Sequence, residues 1–375
     1  MWINVIGQQR AKSILSNSFE RKRIAHAYLF HGQEGVGKDA AAVEFAMLIN
    51  CDSPVNGKEA CGECKSCRDI NSLKPPFIRF ITALPTGKNE SEDKDPLVTL
   101  DEEDAQIYLS ELSLKAGDKY HRINIPGAND IRISSIRLLK DQVSLTGYAN
   151  KKKIFMISQA ERMNQQSSNA LLKILEEPPE DTVLILTTSR VNSLLPTIVG
   201  RCQSLKFEPL TDEEILTYLK SEHPQLNEKD AKFFAALSQG SLTNCREIMT
   251  QDYMDLRERV INFIASTITR RHLSLGVEID SVISKKDKQR IKRFLSLLSI
   301  WFRDVTMKSS GADEQVINSD KLDRLGKFSG NYSSENYKIM KLIEEAILDV
   351  DRNIFPELLL TNLSIRIAGM IRRVN

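Results

Sequence analysis

A chain of 375 residues, with 41% hydrophobic and 27% charged side chains, is long enough for two or three domains with cores of their own. With 52 basic against 50 acidic residues the net charge is +2, which excludes a global basic signature for nucleic acid and leaves only local patches. No apolar stretch approaches a membrane span and residues 1–23 are polar rather than signal-like, so the expectation is a cytoplasmic protein with no membrane partner.

In chain order, Val5-Ile6-Gly7-Gln8-Gln9 reads as a turn before an amphipathic helix over 11–22, and Ala27-Tyr28-Leu29-Phe30 as a buried strand. The strand runs into His31-Gly32-Gln33-Glu34-Gly35-Val36-Gly37-Lys38-Asp39. This loop matches the phosphate-binding pattern G-x-x-x-x-G-K-[ST] at Gly32, Gly37 and Lys38 and departs from it at Asp39. Glycines here, Gly35 included, let successive N–H groups face phosphate oxygens, and Lys38 would reach the outer phosphates. Asp39 stands where a hydroxyl normally holds Mg²⁺, an anion beside an anionic ligand, which argues against hydrolysis. The loop is compatible with ATP or ADP held as a static ligand, and equally with a Gly-rich turn that holds nothing.

After an apolar helix over 40–49 come Cys51, Cys61, Cys64 and Cys67, spaced C-x9-C-x2-C-x2-C. Two-residue gaps let neighbouring thiolates converge, and four thiolates complete a tetrahedral Zn²⁺ shell with no open position, hence a structural ion. In a reducing compartment such a cluster favours metal over disulfides; unpaired thiols and an iron–sulfur cluster are the alternatives. Cys202 and Cys245 stand apart and read as packing residues.

Further strands are expected at 78–81, 122–125, 154–157, 183–186 and 204–207, with helices over about 134–143 and over 169–177, the latter ended by Pro178-Pro179. The segment 84–119 is polar and carries Asp101-Glu102-Glu103-Asp104; it reads as a solvated surface excursion, helical around 105–114. Short apolar strands alternating with helices predict a parallel sheet covered on both faces, with ligands beyond the carboxyl ends of its strands. From Pro209 strand signals stop. Thr211-Asp212-Glu213-Glu214 is a capping-box helix start, and apolar repeats in 260–268, 291–305, 337–350 and 358–371 predict helices. Arg132, Ser134, Ser135 and Arg137 at a helix start suit either phosphate contacts or ordinary capping; the basic run 285–293 reads as a solvated helix face or a subunit contact.

One stretch is more specific. It contains Lys153-Ile154-Phe155-Met156-Ile157, Ala160-Glu161-Arg162-Met163-Asn164 and Asn169-Ala170-Leu171-Leu172-Lys173-Ile174-Leu175-Glu176-Glu177-Pro178-Pro179. Leu195-Pro196-Thr197-Ile198 and Arg201-Cys202-Gln203 complete it. With these motifs the chain resembles the clamp-loader subunits of bacterial DNA polymerase III, most closely the delta-prime type. The resemblance implies an α/β fold: an AAA+ P-loop NTPase-like parallel-sheet domain over 1–207, with the zinc module at 51–67 and a polar insertion at 84–119. A helical lid over 208–257 and an all-α collar for oligomerisation over 258–375 would follow. It also implies a hetero-oligomeric ring with gamma/tau and delta subunits that places a sliding clamp on primed DNA.

By position, Ser158-Gln159 stand where hydrolysing members of the family carry a metal-orienting Asp and a water-activating Glu, and neither replaces a carboxylate. The family's sensor hydroxyl falls at Thr188 or Ser189, and its lid arginine falls near Thr243, with Arg246 one turn on. Gly200-Arg201-Cys202 keeps the arginine that, in the family, acts in trans on a neighbour's ATP. The resemblance thus implies a non-hydrolysing member in which Arg201 is catalytic in trans. The alternatives are a hydrolysing gamma/tau-like subunit, an autonomous ATPase with Asp39 on Mg²⁺, and a zinc-dependent nucleic-acid binder.

Overall fold

Four short apolar runs and a polar edge strand form the centre of the fold. The structure, a computed structural model, describes residues 2–87, 95–143, 151–178, 180–249, 251–284, 287–352 and 354–374. Strands β1 (Ala27–His31), β2 (Ile78–Ile81), β3 (Lys153–Ile157), β4 (Thr182–Thr188) and β5 (Gln203–Lys206) make one parallel sheet in the order β2-β3-β4-β1-β5. All seven residues of β4 are buried, so both faces of the sheet are covered, as a near-continuous apolar strand requires. Because the strands are parallel, the ends of β1, β3 and β4 that carry Gly32, Ser158 and Thr188 share one edge.

The helices of this part are α1 (Gln9–Glu20), α2 (Lys38–Asn50), α3 (Lys65–Asn71), α4 (Pro96–Thr99), α5 (Glu102–Gly117), α6 (Ile133–Val143), α7 (Gln165–Glu176) and α8 (Pro196–Val199). Two expectations are corrected. Residues 122–125 are not a strand, and the Asn124 N–H donates to Glu111 Oε2 at 2.8 Å rather than to a ladder partner. Nor is 84–119 a solvated excursion, although 88–94 lie outside the described residues. Leu97, Leu100, Ile107 and Leu112 pack against the sheet's core, while Tyr108 and Lys115 of α5 are buried. The acidic run has a local cause: Asp101 caps α5 by accepting from the Asp104 N–H at 2.9 Å, and the next three acids occupy the positive first turn.

By its contacts the chain divides into two compact units, Met1–Tyr218 with Gln239–Asn244, and Leu219–Ser238 with Cys245–Asn375. Thr211 and Glu214 form the expected reciprocal box at the start of α9 (Asp212–Glu222): the Thr211 N–H donates to Glu214 Oε2 and the Glu214 N–H to Thr211 Oγ1. Beyond it run α10 (Glu228–Leu237), α11 (Leu242–Ile248), α12 (Gln251–Thr269), α13 (His272–Ile283), α14 (Lys288–Ser309), α15 (Leu322–Asn331), α16 (Asn336–Asp351) and α17 (Pro356–Met370). In the second unit Phe263 and Phe294 pack edge to face at 5.4 Å, and the Arg257 guanidinium lies 3.7 Å over the Phe233 ring while donating to Asn318 and Asp320.

Strand signals do not end at Pro209, since β6 (Tyr332–Ser334) and β7 (Ile371–Arg373) pair antiparallel. The basic run is not wholly solvated either: Arg290 is buried on Asp252 at 2.8 Å and Asp255 at 3.3 Å, while residues 285–286 of that run lie outside the described residues. Among the described residues no helix is long and apolar enough to cross a membrane.

Candidate functional site

The loop after β1 is bent by glycines that no other residue replaces easily. Gly35 and Gly37 take φ of 77° and 97°, and a Cβ on Gly37 would sit 2.6 Å from the Tyr120 hydroxyl oxygen. A Cβ on Gly32 would fall 2.2 Å from the Phe207 carbonyl, and one on Gly35 2.2 Å from Ser241 Oγ. The Tyr120 hydroxyl also accepts from the Ile6 N–H at 3.0 Å, and Thr243 Oγ1 donates to the Tyr120 carbonyl at 3.0 Å. Lys38 is turned back on its own loop, donating to the Gly32 carbonyl at 2.8 Å and the Gln33 carbonyl at 2.6 Å. Burial lowers its pKa, offset in part by Asp39, Glu161 and Glu34.

Asp39, at the start of α2, is the centre of the arrangement. Thr187 Oγ1 donates to its Oδ1 at 2.7 Å, Ser158 Oγ to its Oδ2 at 3.0 Å, and Lys115 Nζ lies 2.7 Å from Oδ2. Burial alone would raise the pKa of this carboxyl; the Lys115 ammonium, with the hydrogen bonds from Lys115 and Thr187, holds it below the usual carboxylate value. Lys115 completes its own coordination on the His121 carbonyl at 2.8 Å, with its side chain only 6% exposed. Truncation to Lys115→Ala leaves this carboxylate without its cation, a loss of about 3 kcal/mol, the lower end for buried pairs because the Asp39 side chain is 17% exposed. The expected result is a melting temperature lower by roughly 6–12 °C, largely recovered by the neutral pair Asp39→Asn/Lys115→Met.

The other predicted residues are spread out. Thr188 is buried and accepts the Arg190 N–H at 3.0 Å, so the hydroxyl on Asp39 belongs to Thr187, one position earlier. Ser189 donates to Glu161 Oε1 at 2.6 Å. Gln159 has φ of 54° and accepts from Arg162. Ser134 and Ser135 are buried, which removes their hydroxyls from surface contacts. Arg201 follows α8 and precedes β5; its Nη2 pairs with Glu176 Oε1 at 2.9 Å, its Nη1 donates to the Thr197 carbonyl, and its side chain is 39% exposed. In the pairing of β5 with β1, Gln203 lies opposite Tyr28 and Lys206 opposite His31. Arg201 therefore lies at the amino end of β5, at least about 10 Å along the strands from the end of β1 that carries the loop.

Sequence reasoning missed Lys115, Thr187 and Tyr120. The available signal was Asp39 itself, since a carboxylate at the start of a buried helix requires a cation, but nothing in Leu114-Lys115-Ala116 names the donor.

The four cysteines come together. Cys51 ends α2, Cys61 and Cys64 lie in the loop, and Cys67 is in the first turn of α3; their sulfurs all lie within 4.8 Å of one another. Cys61 and Cys67 are 3.9 Å apart, against about 3.8 Å for the edge of a tetrahedron with 2.3 Å Zn–S bonds. Main-chain donors already face the sulfurs, with N–H groups of Cys61, Cys64 and Cys67 on Sγ of Cys51, Cys61 and Cys64. The amides of Cys64 and Glu63 draw the Cys61 thiol down to about 6, whereas burial pushes Cys51 and Cys67 up. A divalent ion would offset that burial, and the soft, four-thiolate donor set fits Zn²⁺. Cys245 is fully buried and Cys202 partly so, as packing residues.

Comparison with known proteins places this geometry. The family model described as DNA polymerase III, delta subunit, matches residues 7–211. The DNA polymerase III subunit delta' of Bacillus subtilis (strain 168) is 28% identical over 319 residues, covering 84% of this chain and 81% of that protein. The tau subunit of the same organism is 24% identical over 342 residues, covering 85% of this chain and 52% of that protein, so the chain spans about half its length. Among solved structures, a gamma subunit-related protein of DNA polymerase III from Thermotoga maritima is similar with a TM-score of 0.45 and 16% identity, covering 96% of this chain and 99% of that one. The family match takes in more than half of the chain, including the loop, the four cysteines and Arg201, and the chain therefore belongs to the DNA polymerase III delta-subunit family, with its likeness to the delta-prime clamp-loader subunits.

Proposed function

We propose that the chain is a delta-prime-type member of a clamp-loader ring that hydrolyses no ATP itself and supplies Arg201 in trans to the ATP site of a neighbouring gamma/tau subunit. Residues 1–207 act as the AAA+ domain, 208–257 as the lid and 258–375 as the collar that joins the ring. Zn²⁺ on the four cysteines is structural, and the ring, with a delta subunit, loads a sliding clamp on primed DNA in the cytoplasm.

The observation that carries this reading is the separation of Arg201 from its own loop. A guanidinium at the amino end of β5 cannot serve a phosphate at the carboxyl end of β1, yet it is exposed and, among the described residues, held by a surface pair and one carbonyl. Such a pair contributes about 0–1 kcal/mol and is readily exchanged for a γ-phosphoryl group, whose equatorial oxygens match the guanidinium fork. The loss of cis chemistry supports the same reading. Ser158 and Gln159 replace the two acids, Asp39 replaces the metal-holding hydroxyl, and Lys115 neutralises Asp39. That last contact also disfavours an autonomous ATPase in which Asp39 holds Mg²⁺.

Adding the purified chain to the gamma/tau and delta subunits should yield a co-purifying complex whose primed-DNA- and clamp-stimulated ATP hydrolysis exceeds that without it. A chain that neither joins the complex nor changes its hydrolysis would overturn the proposal.

A further inference from the structure

We propose that Lys115 is a tethered cation standing in the place of a nucleotide's divalent metal, so that α5 closes the phosphate-type loop to metal–nucleotide and makes it a fixed joint of the fold. This inference rests on reading the chain as a ring member that hydrolyses no ATP itself, and deepens that part of the proposed function.

Three observations converge. The first is the donor set. In a phosphate-binding loop the metal is held by the hydroxyl after the lysine and oriented by an acid at the end of a neighbouring strand. Asp39 and Ser158 hold those places, joined by Thr187 from β4, and the three make one connected cluster with the Lys115 ammonium on the carboxylate. A full positive charge on a partly buried carboxylate is what a metal would otherwise supply, and Lys115 supplies it from the same chain.

The second is the fate of the loop's own cation. Lys38 donates to the carbonyls of Gly32 and Gln33, so the loop's own lysine ties its backbone together. The third is steric. The Tyr120 hydroxyl lies against Gly37, and Ser241 and Thr243 against Gly35, while Thr243 ties itself to the Tyr120 carbonyl. Tyr120 and His121, which accept from Thr243 and Lys115, follow α5 directly, so one segment supplies both the cation and the cover. Entry of a metal–nucleotide would require breaking the Lys115–Asp39 pair and moving Tyr120 together.

The experiment titrates a fluorescent ATP analogue, with and without Mg²⁺, into the purified full chain and into Asp39→Thr/Lys115→Ala, which restores the hydroxyl and removes the cation. The double variant should gain at least about tenfold in affinity, and only with Mg²⁺ present. A double variant that melts cooperatively and gains nothing overturns the proposal, as does a parent chain that binds as tightly as the variant. Should the double variant not fold, hydrogen exchange on the parent decides. Protection of the α5 amides unchanged by a large excess of Mg²⁺–ATP supports a permanent joint, and protection that falls on adding it shows a displaceable gate and overturns it. None of these readouts involves Arg201, so they stand or fall separately from its action in trans.

Discussion

With Arg201→Ala in a reconstituted loader, ATP hydrolysis at the site facing this subunit falls by about 10³-fold or more, the range for loss of an arginine that stabilises a transferring phosphoryl group. The chain itself should be undisturbed. Among the described residues the polar partners of Arg201 are the Glu176 carboxylate and the Thr197 carbonyl, at a partly exposed position, so the melting temperature and co-purification with the other subunits should stay at parent values. Arg201→Lys keeps the charge but not the planar fork, and should recover little of the loss. Single-turnover hydrolysis with that neighbouring site as the only competent one gives the cleanest reading. A fall of less than about fivefold there would remove Arg201 from the chemistry.

Loss of the proposed Zn²⁺ is the second large expected effect. Zn²⁺ bound by four thiolates contributes about 10–16 kcal/mol of apparent binding free energy at neutral pH, and on these cysteines it would close the segment that links α2 to α3. Cys67 is the sensitive position: it is fully buried, and Ile70 and Leu73 are buried just beyond it. Elemental analysis should find one zinc per chain, and Cys67→Ser should lose it and melt at least about 20 °C lower. A Cys67→Ser variant that keeps stoichiometric zinc, or melts within about 2 °C of the parent, would contradict the assignment.

The sheet was legible because four of its strands are short, largely buried apolar runs, a pattern carried by residues adjacent in sequence, with polar β5 at the edge. Residues 122–125 show the limit. Arg122-Ile123-Asn124-Ile125 alternates like a strand, but a carboxylate from α5 takes the Asn124 N–H, and no local pattern reports that competitor. The four-cysteine centre was legible for the opposite reason, since its ligands lie within 17 residues and spacing alone brings them together.

The phosphate-type loop was half legible. Its glycines and Lys38 mark the turn, and Asp39 marks the departure, but the answering cation comes from Lys115, in a segment whose acidic beginning reads as solvated. That acidity satisfies the helix start, while Tyr108 and Lys115 on the same helix point inward. The place of Arg201 relative to the loop was not legible either, because it follows from strand register rather than from sequence distance.

The most direct test compares Arg201→Ala with Lys38→Ala in the same reconstituted loader, reading DNA-stimulated ATP hydrolysis. The expected result is a collapse with Arg201→Ala and a rate within about twofold of the parent with Lys38→Ala. Equal losses from the two substitutions, or ATP turnover by the purified chain alone that Lys38→Ala abolishes, would contradict it.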